Sequence, residues 1–577
     1  MKKILYIHGL SSSGASSTAQ NLRRFLSDYE VLSPDLPVDP YEAYDMLVAL
    51  CEKEQPAIII GTSMGGMFAQ QVRGYRKILV NPSFHVSERM RKMMGTNEFL
   101  NPRSNGDTHY EITPRLCDAY SQFEEQQFAG VSDYDKKNTY ALFGKNDTLV
   151  NGFDEYKRYY KNARMFKGGH RLNSEDIRTV VVPLVRQIML KEELAASPLF
   201  NLSLSSKELF HSNFLYWIAL RYPGLFIEIC RSIGCKAYWA EDRWTVKREH
   251  RNFDLCIEDS CGRVVFVLEN KVKSIPVKSQ LDDYYAKSGP ECRDLVLLSL
   301  ATAFPDMEEI KDKWHICNYK DLCEAIQCNK NRFVSEPYES ALIDDYCSFI
   351  KNMHELSATW QVEDSSRFLL PESDKELYDE LRIGDVQDKI WYSQLIANLN
   401  TCLSAAGNVR VAGGWNIGRI KSDGVCLSEI YTNWGFTHGQ GLLEAKVRIN
   451  NDYVLLIQLQ GNRYCHGIEW IKEEEYSCER FWELTESEEL IRKLSFFQFG
   501  EERVAIFPDI CEKNREPIPT RKRNDEFRIF NKYGNRFLYQ TKKIKSDVTV
   551  HDVLTAVKEE VIRIIGAAMI DVKVNKS

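Results

Sequence analysis

Two groups of residues in this chain have the types and spacing that catalysis requires. In the first, Gly61-Thr62-Ser63-Met64-Gly65 follows the apolar run Ile58-Ile59-Ile60 and precedes the helix-compatible Gly66-Met67-Phe68-Ala69-Gln70-Gln71. A serine on such a strand-turn-helix elbow is a candidate nucleophile, but at neutral pH it needs a histidine base that a carboxylate orients. Asp147, in Gly144-Lys145-Asn146-Asp147, and His170, in Lys167-Gly168-Gly169-His170, follow it in the order Ser, Asp, His. Taken singly, the default reading of each is a turn carboxylate and a loop histidine. Together and in order they read as a triad for acyl hydrolysis, with the backbone N–H groups of Leu10 and Met64 as oxyanion donors and His8 as a structural residue.

The second group is Asp254 followed by Glu269-Asn270-Lys271. Side chains alternate along a strand, so Glu269 and Lys271 share a face while Asn270 points away, and Asp254 on an adjoining strand can meet them. Two converging carboxylates are costly without a cation, and hard oxygen ligands favour Mg²⁺ or Mn²⁺. Such an ion orients a phosphate and acidifies a water, with Lys271 placed to position that water or to stabilise developing charge. This is phosphodiester chemistry, although acid-x-lysine alone on a strand is nearly uninformative.

The elements that must hold these residues follow from hydrophobic periodicity. Short β-branched runs at Ile4–Ile7, Ala57–Ile60, Lys77–Val80, Thr139–Phe143 and Ala163–Phe166 alternate with helical patterns up to about Leu190, predicting a parallel sheet covered by helices. The segment from His85 to Val131 is long and polar between its flanking strands and is a candidate lid. After Ala195-Ala196-Ser197-Pro198 a new helix begins near Ser205. A second helix then runs to about Arg231, and strands are expected at Ala237–Val246, Asn252–Glu258 and Arg263–Lys271, with a turn at Asp259-Ser260-Cys261-Gly262.

Composition narrows the class further. With 577 residues, 44% hydrophobic and 27% charged, the chain is that of a multidomain globular protein, and no apolar run reads as a membrane span. The first residues read as a strand and not as a signal peptide. Sixteen cysteines without a CxxC pair suggest reduced thiols and a cytoplasmic setting. A formal net charge of −7 excludes an indiscriminately basic nucleic-acid binder but not a local basic surface.

Tyr6-Ile7-His8-Gly9-Leu10-Ser11-Ser12, Gly61-Thr62-Ser63-Met64-Gly65-Gly66 and Asn81-Pro82-Ser83 together resemble the small YqiA/YcfP-type bacterial esterases over about the first 190 residues. The resemblance implies a short-chain or thioester-type acyl hydrolase with Ser63, Asp147 and His170 as its triad. Asp254-x14-Glu269-x-Lys271 resembles the PD-(D/E)xK nuclease core, with Glu208 matching its accessory acidic position. Gln280 and Tyr284 match the Q-x3-Y element of RecB-like members, which implies that they lie beside the metal site. Phe210–Leu215 and Arg248–Arg251 resemble the branch called PDDEXK_4.

Beyond residue 300 the sequence gives architecture and no third catalytic group. Helices are expected from about Tyr338 to Leu403, strands at Val409–Ala412, Val425–Tyr431, Leu442–Ile449 and Tyr453–Gln460, and a helix around Glu486–Glu489. Arg521-Lys522-Arg523 and Lys542, Lys543 and Lys545 flank aromatics such as Phe527, Phe530 and Tyr539, a pattern that suits nucleic acid as well as it suits a solvated face over core aromatics.

The expected organisation is an α/β-hydrolase domain at 1–195, an α/β PD-(D/E)xK nuclease-like domain at 200–360 and a mixed α+β region at 361–577 that binds nucleic acid or a partner. The expected function is a bifunctional cytoplasmic protein: a metal-dependent nuclease, with DNA the favoured substrate, joined to a serine esterase acting on an ester or thioester. By analogy it resembles bacterial anti-phage defence effectors, and a homo-oligomer is the common prior. The alternatives are an esterase whose nuclease-like lobe only binds nucleic acid or a partner, and a nuclease whose hydrolase domain is an assembly platform.

Overall fold

The computed structural model describes residues 1–204, 207–304, 306–404, 409–411, 430–437, 439–448, 453–470, 490–491, 494, 496, 507–512, 528–532 and 535–574. The chain divides into two compact units, Met1–Glu192 with Pro371–Glu376, and Glu193–Leu370 with Leu377–Ser577. Among the described residues no helix is long and apolar enough to cross a membrane.

The first unit is built on six parallel strands, β1 (Lys3–Ile7), β2 (Glu30–Leu32), β3 (Ile58–Thr62), β4 (Lys77–Val80), β7 (Thr139–Gly144) and β8 (Ala163–Phe166), in the order β2-β1-β3-β4-β7-β8. Alternate residues feed two cores. Leu5, Ile7, Ile59 and Leu79 enter one, and Ile4, Tyr6, Ile58, Ile60 and Ile78 enter the other. Strands buried on both faces must be apolar throughout, which is why these runs are continuous and do not alternate with polar residues.

The insertion between β4 and β7 holds the helix Val86–Arg91, an antiparallel hairpin of β5 (Gly95–Glu98) and β6 (His109–Ile112), and the helix Pro114–Glu125. Its polar sequence suggested a lid. Instead Tyr110, Ile112, Cys117, Tyr120 and Phe123 are buried in the same core as Leu5 and Ile59, so the insertion is anchored and its polar residues form its outer face.

In the second unit, β9 (Trp244–His250), β10 (Phe253–Asp259) and β11 (Val264–Lys271) form an antiparallel meander, and β12 (Asp294–Ser299) and β13 (His315–Asn318) extend it in parallel. The expected turn is present: Gly262 has φ 73°, and the Asp259 carboxylate accepts from the N–H groups of Cys261 and Arg263. The strand expected at Ala237–Val246 starts only at Trp244 and runs on to His250. The Asp294 carboxylate accepts from the N–H groups of Lys236 and Ala237, and Ala237 turns left-handed at φ 49°. The chain then makes a 3₁₀ turn at Tyr238–Glu241 before β9 starts.

A second sheet follows, of β14 (Val409–Val411), β15 (Ile430–Thr437), β16 (Gln440–Arg448), β17 (Tyr453–Gln460), β18 (Arg463–Trp470), β19 (Arg528–Lys532) and β20 (Asn535–Lys543), in the order β14-β15-β16-β17-β18-β20-β19. Only the β14–β15 pair is parallel. The helices Gly384–Ser404 and Val550–Val574 pack on β16 and on each other. The strand expected at Val425–Tyr431 is described only from Ile430, and the helix expected around Glu486–Glu489 lies outside the described residues.

Candidate active sites

Ser63 closes β3 and opens the helix Met64–Gln71 at φ 53° and ψ −119°, a left-handed conformation that costs a non-glycine residue of order 1–3 kcal/mol. The flanking glycines make it possible. A Cβ at Gly61 would stand 2.2 Å from the Gly65 carbonyl oxygen, and one at Gly65 would stand 2.1 Å from that of Ile7. The elbow therefore tolerates no side chain at either position, and it lifts the Ser63 hydroxyl off the end of the sheet.

His170 arrives from the loop after β8 and Asp147 from the turn after β7. His170 Nε2 lies 3.0 Å from Ser63 Oγ, and its Nδ1 lies 2.8 Å from Asp147 Oδ2. The other carboxylate oxygen of Asp147 accepts from the N–H groups of Leu149 and Val150, which fixes the carboxylate plane. Leu10 and Met64 line one small cavity beside the serine, together with His8, Tyr110 and Tyr120. Met64 occupies the first helical position, where an N–H has no partner within the helix. His8 is structural, as expected: Nδ1–H donates to the Gly9 carbonyl, Nε2 accepts from the Leu36 N–H, and burial pushes its pKa down.

Asn81 is a residue whose role the sequence reading missed, although its motif was noticed. Held at φ 44°, it donates from Nδ2 to the carbonyls of Gly169 and His170, and its Oδ1 accepts from the Gly144 N–H at 2.7 Å. It thereby ties the histidine loop to the end of β7. An asparagine directly after a strand and before proline was the available signal, since Asn tolerates the left-handed region.

In the second unit β11 carries Glu269 and Lys271 on one side, with Lys271 Nζ donating to Glu269 Oε1 at 2.8 Å. Asn270 points the opposite way and donates to Ser212 Oγ on the helix Lys207–Arg221, at 2.6 Å. Asp254 Oδ2 accepts from the Asn270 N–H at 2.6 Å. Burial, above all, lifts the carboxyl of Asp254 to about 6 and that of Glu269 to about 7. Burial works against the Lys271 ammonium as well, but the carboxylates of Glu269, Glu208 and Asp254 together outweigh it and keep the Lys271 pKa above its ordinary value.

Glu208 turns Oε1 to the N–H groups of Lys273 and Ser274, bracing the loop that leaves β11, and it adds negative charge at Asp254 and Glu269. Gln280 Nε2 donates to Tyr284 Oη at 2.9 Å on the helix Lys278–Ser288, and the Glu269 charge, after burial, raises the Tyr284 pKa. The fold thus gathers all six of these residues at one end of the sheet.

The donor set fits a hard divalent cation. Glu269 Oε2 is buried with no hydrogen-bond partner among the described residues, and Asp254 beside it supplies a second carboxylate. Among the described residues no group of three or more His, Cys, Asp or Glu side chains stands in metal-ligand geometry. Mg²⁺ does not require one, because it usually keeps several waters and takes one or two carboxylates together with substrate phosphate.

Residues 3–164 match the model of UPF0227, an uncharacterised protein family, and residues 231–348 match the model of the PD-(D/E)XK nuclease superfamily, PDDEXK_4. The chain joins a UPF0227 domain to a nuclease-superfamily domain. Solved structures similar to part of the chain include Est1E from Butyrivibrio proteoclasticus with bound ferulic acid, at 13% identity and TM-score 0.25 over 33% of this chain and 88% of that one. They also include the methylesterase MES16 from Arabidopsis, at 12% and 0.23 over 33% and 99%. A third is a predicted CIB-like hydrolase from Thermoplasma acidophilum, at 17% and 0.21 over 32% and 86%.

Following the nuclease-superfamily domain, Arg521, Lys522 and Arg523 lie outside the described residues. Of the other basic residues noted there, Lys543 stands 3.3 Å from Glu512, Lys545 donates to the Asp509 carbonyl, and Lys542 lies over the Phe507 ring.

Proposed function

We propose that the chain is bifunctional, the UPF0227 domain a serine acyl hydrolase and the nuclease-superfamily domain a Mg²⁺- or Mn²⁺-dependent nuclease acting on DNA. For the hydrolase, the observation that carries the reading is the unbroken contact from Asp147 through His170 to Ser63. His170 Nε2 takes the Ser63 proton as Oγ attacks the ester or thioester carbonyl, and Asp147 holds the Nδ1–H tautomer and steadies the imidazolium. The N–H groups of Leu10 and Met64 receive the oxyanion. His170 then returns the proton to the leaving oxygen or sulfur, and water repeats the sequence in reverse to free Ser63.

For the nuclease, the carrying observation is the buried Glu269 Oε2 without a partner, next to Asp254 and under the charge of Lys271. Asp254 and Glu269 would hold the cation, which when bound orients the scissile phosphate and acidifies a water. Lys271 stabilises charge that develops on the phosphate, Asn270 ties β11 to the helix Lys207–Arg221 through Ser212, and Gln280 and Tyr284 lie beside the carboxylates. The pairing of a nucleic-acid hydrolase with a small-molecule hydrolase supports a role in defence against invading DNA in a bacterial cytoplasm.

The deciding experiment is cleavage of supercoiled, linear and single-stranded DNA by the purified protein with Mg²⁺ or Mn²⁺, beside Lys271→Ala and an EDTA control. Cutting that needs metal and is lost in the variant supports the nuclease. No cutting of any form, with normal ester hydrolysis, sinks it and leaves an esterase with a binding lobe.

A further inference from the structure

Two cavities of very different size border the hydrolase triad. The smaller, of about 20 Å³, lies against the proposed oxyanion donors Leu10 and Met64, with Leu36, Phe99, Tyr110 and Tyr120 among its other walls. It adjoins the nucleophile, since a Cβ added at Gly9, on the same wall, would stand 3.7 Å from Ser63 Oγ. A cavity needs roughly 10–15 Å³ of room to hold one water molecule, so this one takes a methyl group and not a longer chain. The larger, of about 470 Å³, is lined by Ser83, Arg89, Lys92, Leu149, Val150 and Glu155. Its wall reaches the triad at both ends: the Ser83 N–H donates to the Ser63 carbonyl at 3.0 Å, and the N–H groups of Leu149 and Val150 donate to Asp147.

We propose that the hydrolase is a deacetylase: the small cavity takes the methyl of an acetyl group, the large cavity takes a bulky polar alcohol, and Tyr110 sets the limit on acyl length. The inference rests on the serine-hydrolase reading and names its substrate class. Ser63 Oγ bonds to the acetyl carbonyl carbon, the bond from that carbon to the alcohol oxygen breaks, and His170 gives this oxygen the proton it took from Ser63. Water then attacks the acetyl-serine and acetate leaves, so that ester and water become alcohol and acetate with Ser63 restored. His170 Nε2 must face the departing oxygen. The turn that carries Asp147, behind His170, also walls the large cavity, which places the alcohol there and the acyl group against Leu10 and Met64.

The small cavity cannot widen without breaking contacts, because its walls are tied to one another. Tyr110 Oη and Ser11 Oγ share a hydrogen bond, and the Tyr110 ring packs on Phe99 with 4.7 Å between centroids. Arg103 lies over the Phe99 ring and donates to the Leu36 carbonyl at 2.7 Å. Tyr120 donates to the Val38 carbonyl at 3.2 Å, and its hydroxyl stands 3.5 Å from Met64 Sδ. Both tyrosines are buried. The large cavity has the opposite character. His85 Nε2 lies 2.9 Å from Glu155 Oε2 on its wall, and Arg89 and Lys92 stand there exposed, a lining that suits an alcohol rich in polar groups and not an alkyl chain.

The test is hydrolysis by the full chain of two substrate sets: the p-nitrophenyl esters of acetate, butyrate and octanoate, and the isomers benzyl acetate and methyl phenylacetate, which put the same bulk on opposite sides of the ester. The acetate should exceed the butyrate in kcat/KM by at least about 10-fold, and the octanoate by more, since one methylene in a fitted pocket is worth about that factor. Benzyl acetate should be the better substrate of the isomer pair. Tyr110→Ala should raise the butyrate-to-acetate ratio of kcat/KM by about 10-fold, and Phe99→Ala, at a half-buried position on the same wall, should shift it in the same direction. Butyrate or octanoate turned over as fast as acetate, a preference for methyl phenylacetate, or a ratio unmoved in whichever variant folds would overturn the inference while leaving the serine hydrolase intact. No turnover of any of these esters, or turnover that survives Ser63→Ala, would overturn both.

Discussion

His170 Nε2 and Ser63 Oγ lie 3.0 Å apart although 107 positions separate them in the chain. The contact exists because β3 and β8 both end at the same edge of a parallel sheet, where the loops that follow them meet. Ser63→Ala removes the nucleophile while leaving a small residue on the elbow. Hydrolysis of p-nitrophenyl acetate should fall by roughly 10³-fold or more, toward what the oxyanion donors supply alone. The unfolding temperature should hold. Residual turnover near the wild-type rate would mean that Ser63 is not the nucleophile.

Asn81 acts through the histidine loop and not on substrate. Asn81→Ala deletes the two hydrogen bonds to the carbonyls of Gly169 and His170 and frees the Gly144 N–H. A misplacement of about 1 Å in a reacting group can cost on the order of 10²-fold in rate. The expected signature is a drop in kcat with KM little changed, because both side-chain amide atoms of Asn81 are engaged by the backbone of the histidine loop and of β7. Asn81→Gly, which accepts the left-handed φ, should lose kcat in the same way while unfolding at a higher temperature than Asn81→Ala. A change confined to KM in both variants would argue against a positioning role.

Local chemistry is what this sequence discloses. The Ser63 elbow and the β11 strand of Glu269 and Lys271 were readable because their chemistry is local: an apolar run, a tight turn and the next element follow each other directly. The position of β9, from Trp244 to His250, is not readable from polarity alone. Its end is marked by left-handed Arg251 and Asn252, and only Asn of the pair advertises that conformation. In the C-terminal sheet the strands expected at Leu442–Ile449 and Tyr453–Gln460 are β16 and β17, but the burial of their charges is not legible. Glu444, Lys446 and Glu469 are at most 2% exposed, with Lys446 2.6 Å from Glu469 and 3.2 Å from Glu444. Charges that satisfy one another inside a fold look, in sequence, like a solvated face.

Lys271 balances two buried carboxylates, so its removal should be felt in stability as well as in cleavage. Breaking a buried ion pair by deleting one partner typically costs about 3–5 kcal/mol, because the remaining charge is left uncompensated. Lys271→Ala should therefore abolish DNA cutting, spare ester turnover and lower the stability of the second unit. Tryptophan fluorescence reports on that unit alone, since every tryptophan of the chain lies at or beyond Trp217 and none lies within 371–376. Added Mn²⁺ should restore part of the loss by neutralising Asp254 and Glu269. If Lys271→Ala melts as the wild type does and does not respond to Mn²⁺, the proposed balance of charge at the site is wrong.

Two buried histidines set an acid limit for the same unit. His211 and His466 are both at most 2% exposed, and burial pushes their pKa values down to about 3 and about 4. Each is neutral in the folded chain, whereas its unfolded counterpart takes up a proton near pH 6.5. Between those limits the unfolded state binds more protons, so stability is fully present above about pH 6.5 and is lost as pH falls toward 4. Each histidine should contribute a slope of about 1.4 kcal/mol per pH unit in that window. His211 lies among the rings of Tyr319, Tyr346 and Phe349 with Nδ1 3.0 Å from the buried Tyr346 hydroxyl, so a phenylalanine fills the space at the cost of that one hydrogen bond, a loss that does not depend on pH. Urea unfolding followed by tryptophan fluorescence from pH 7 to 4.5 should give His211→Phe a slope shallower than the wild type by that amount. Equal slopes would show that His211 is not held neutral by the fold.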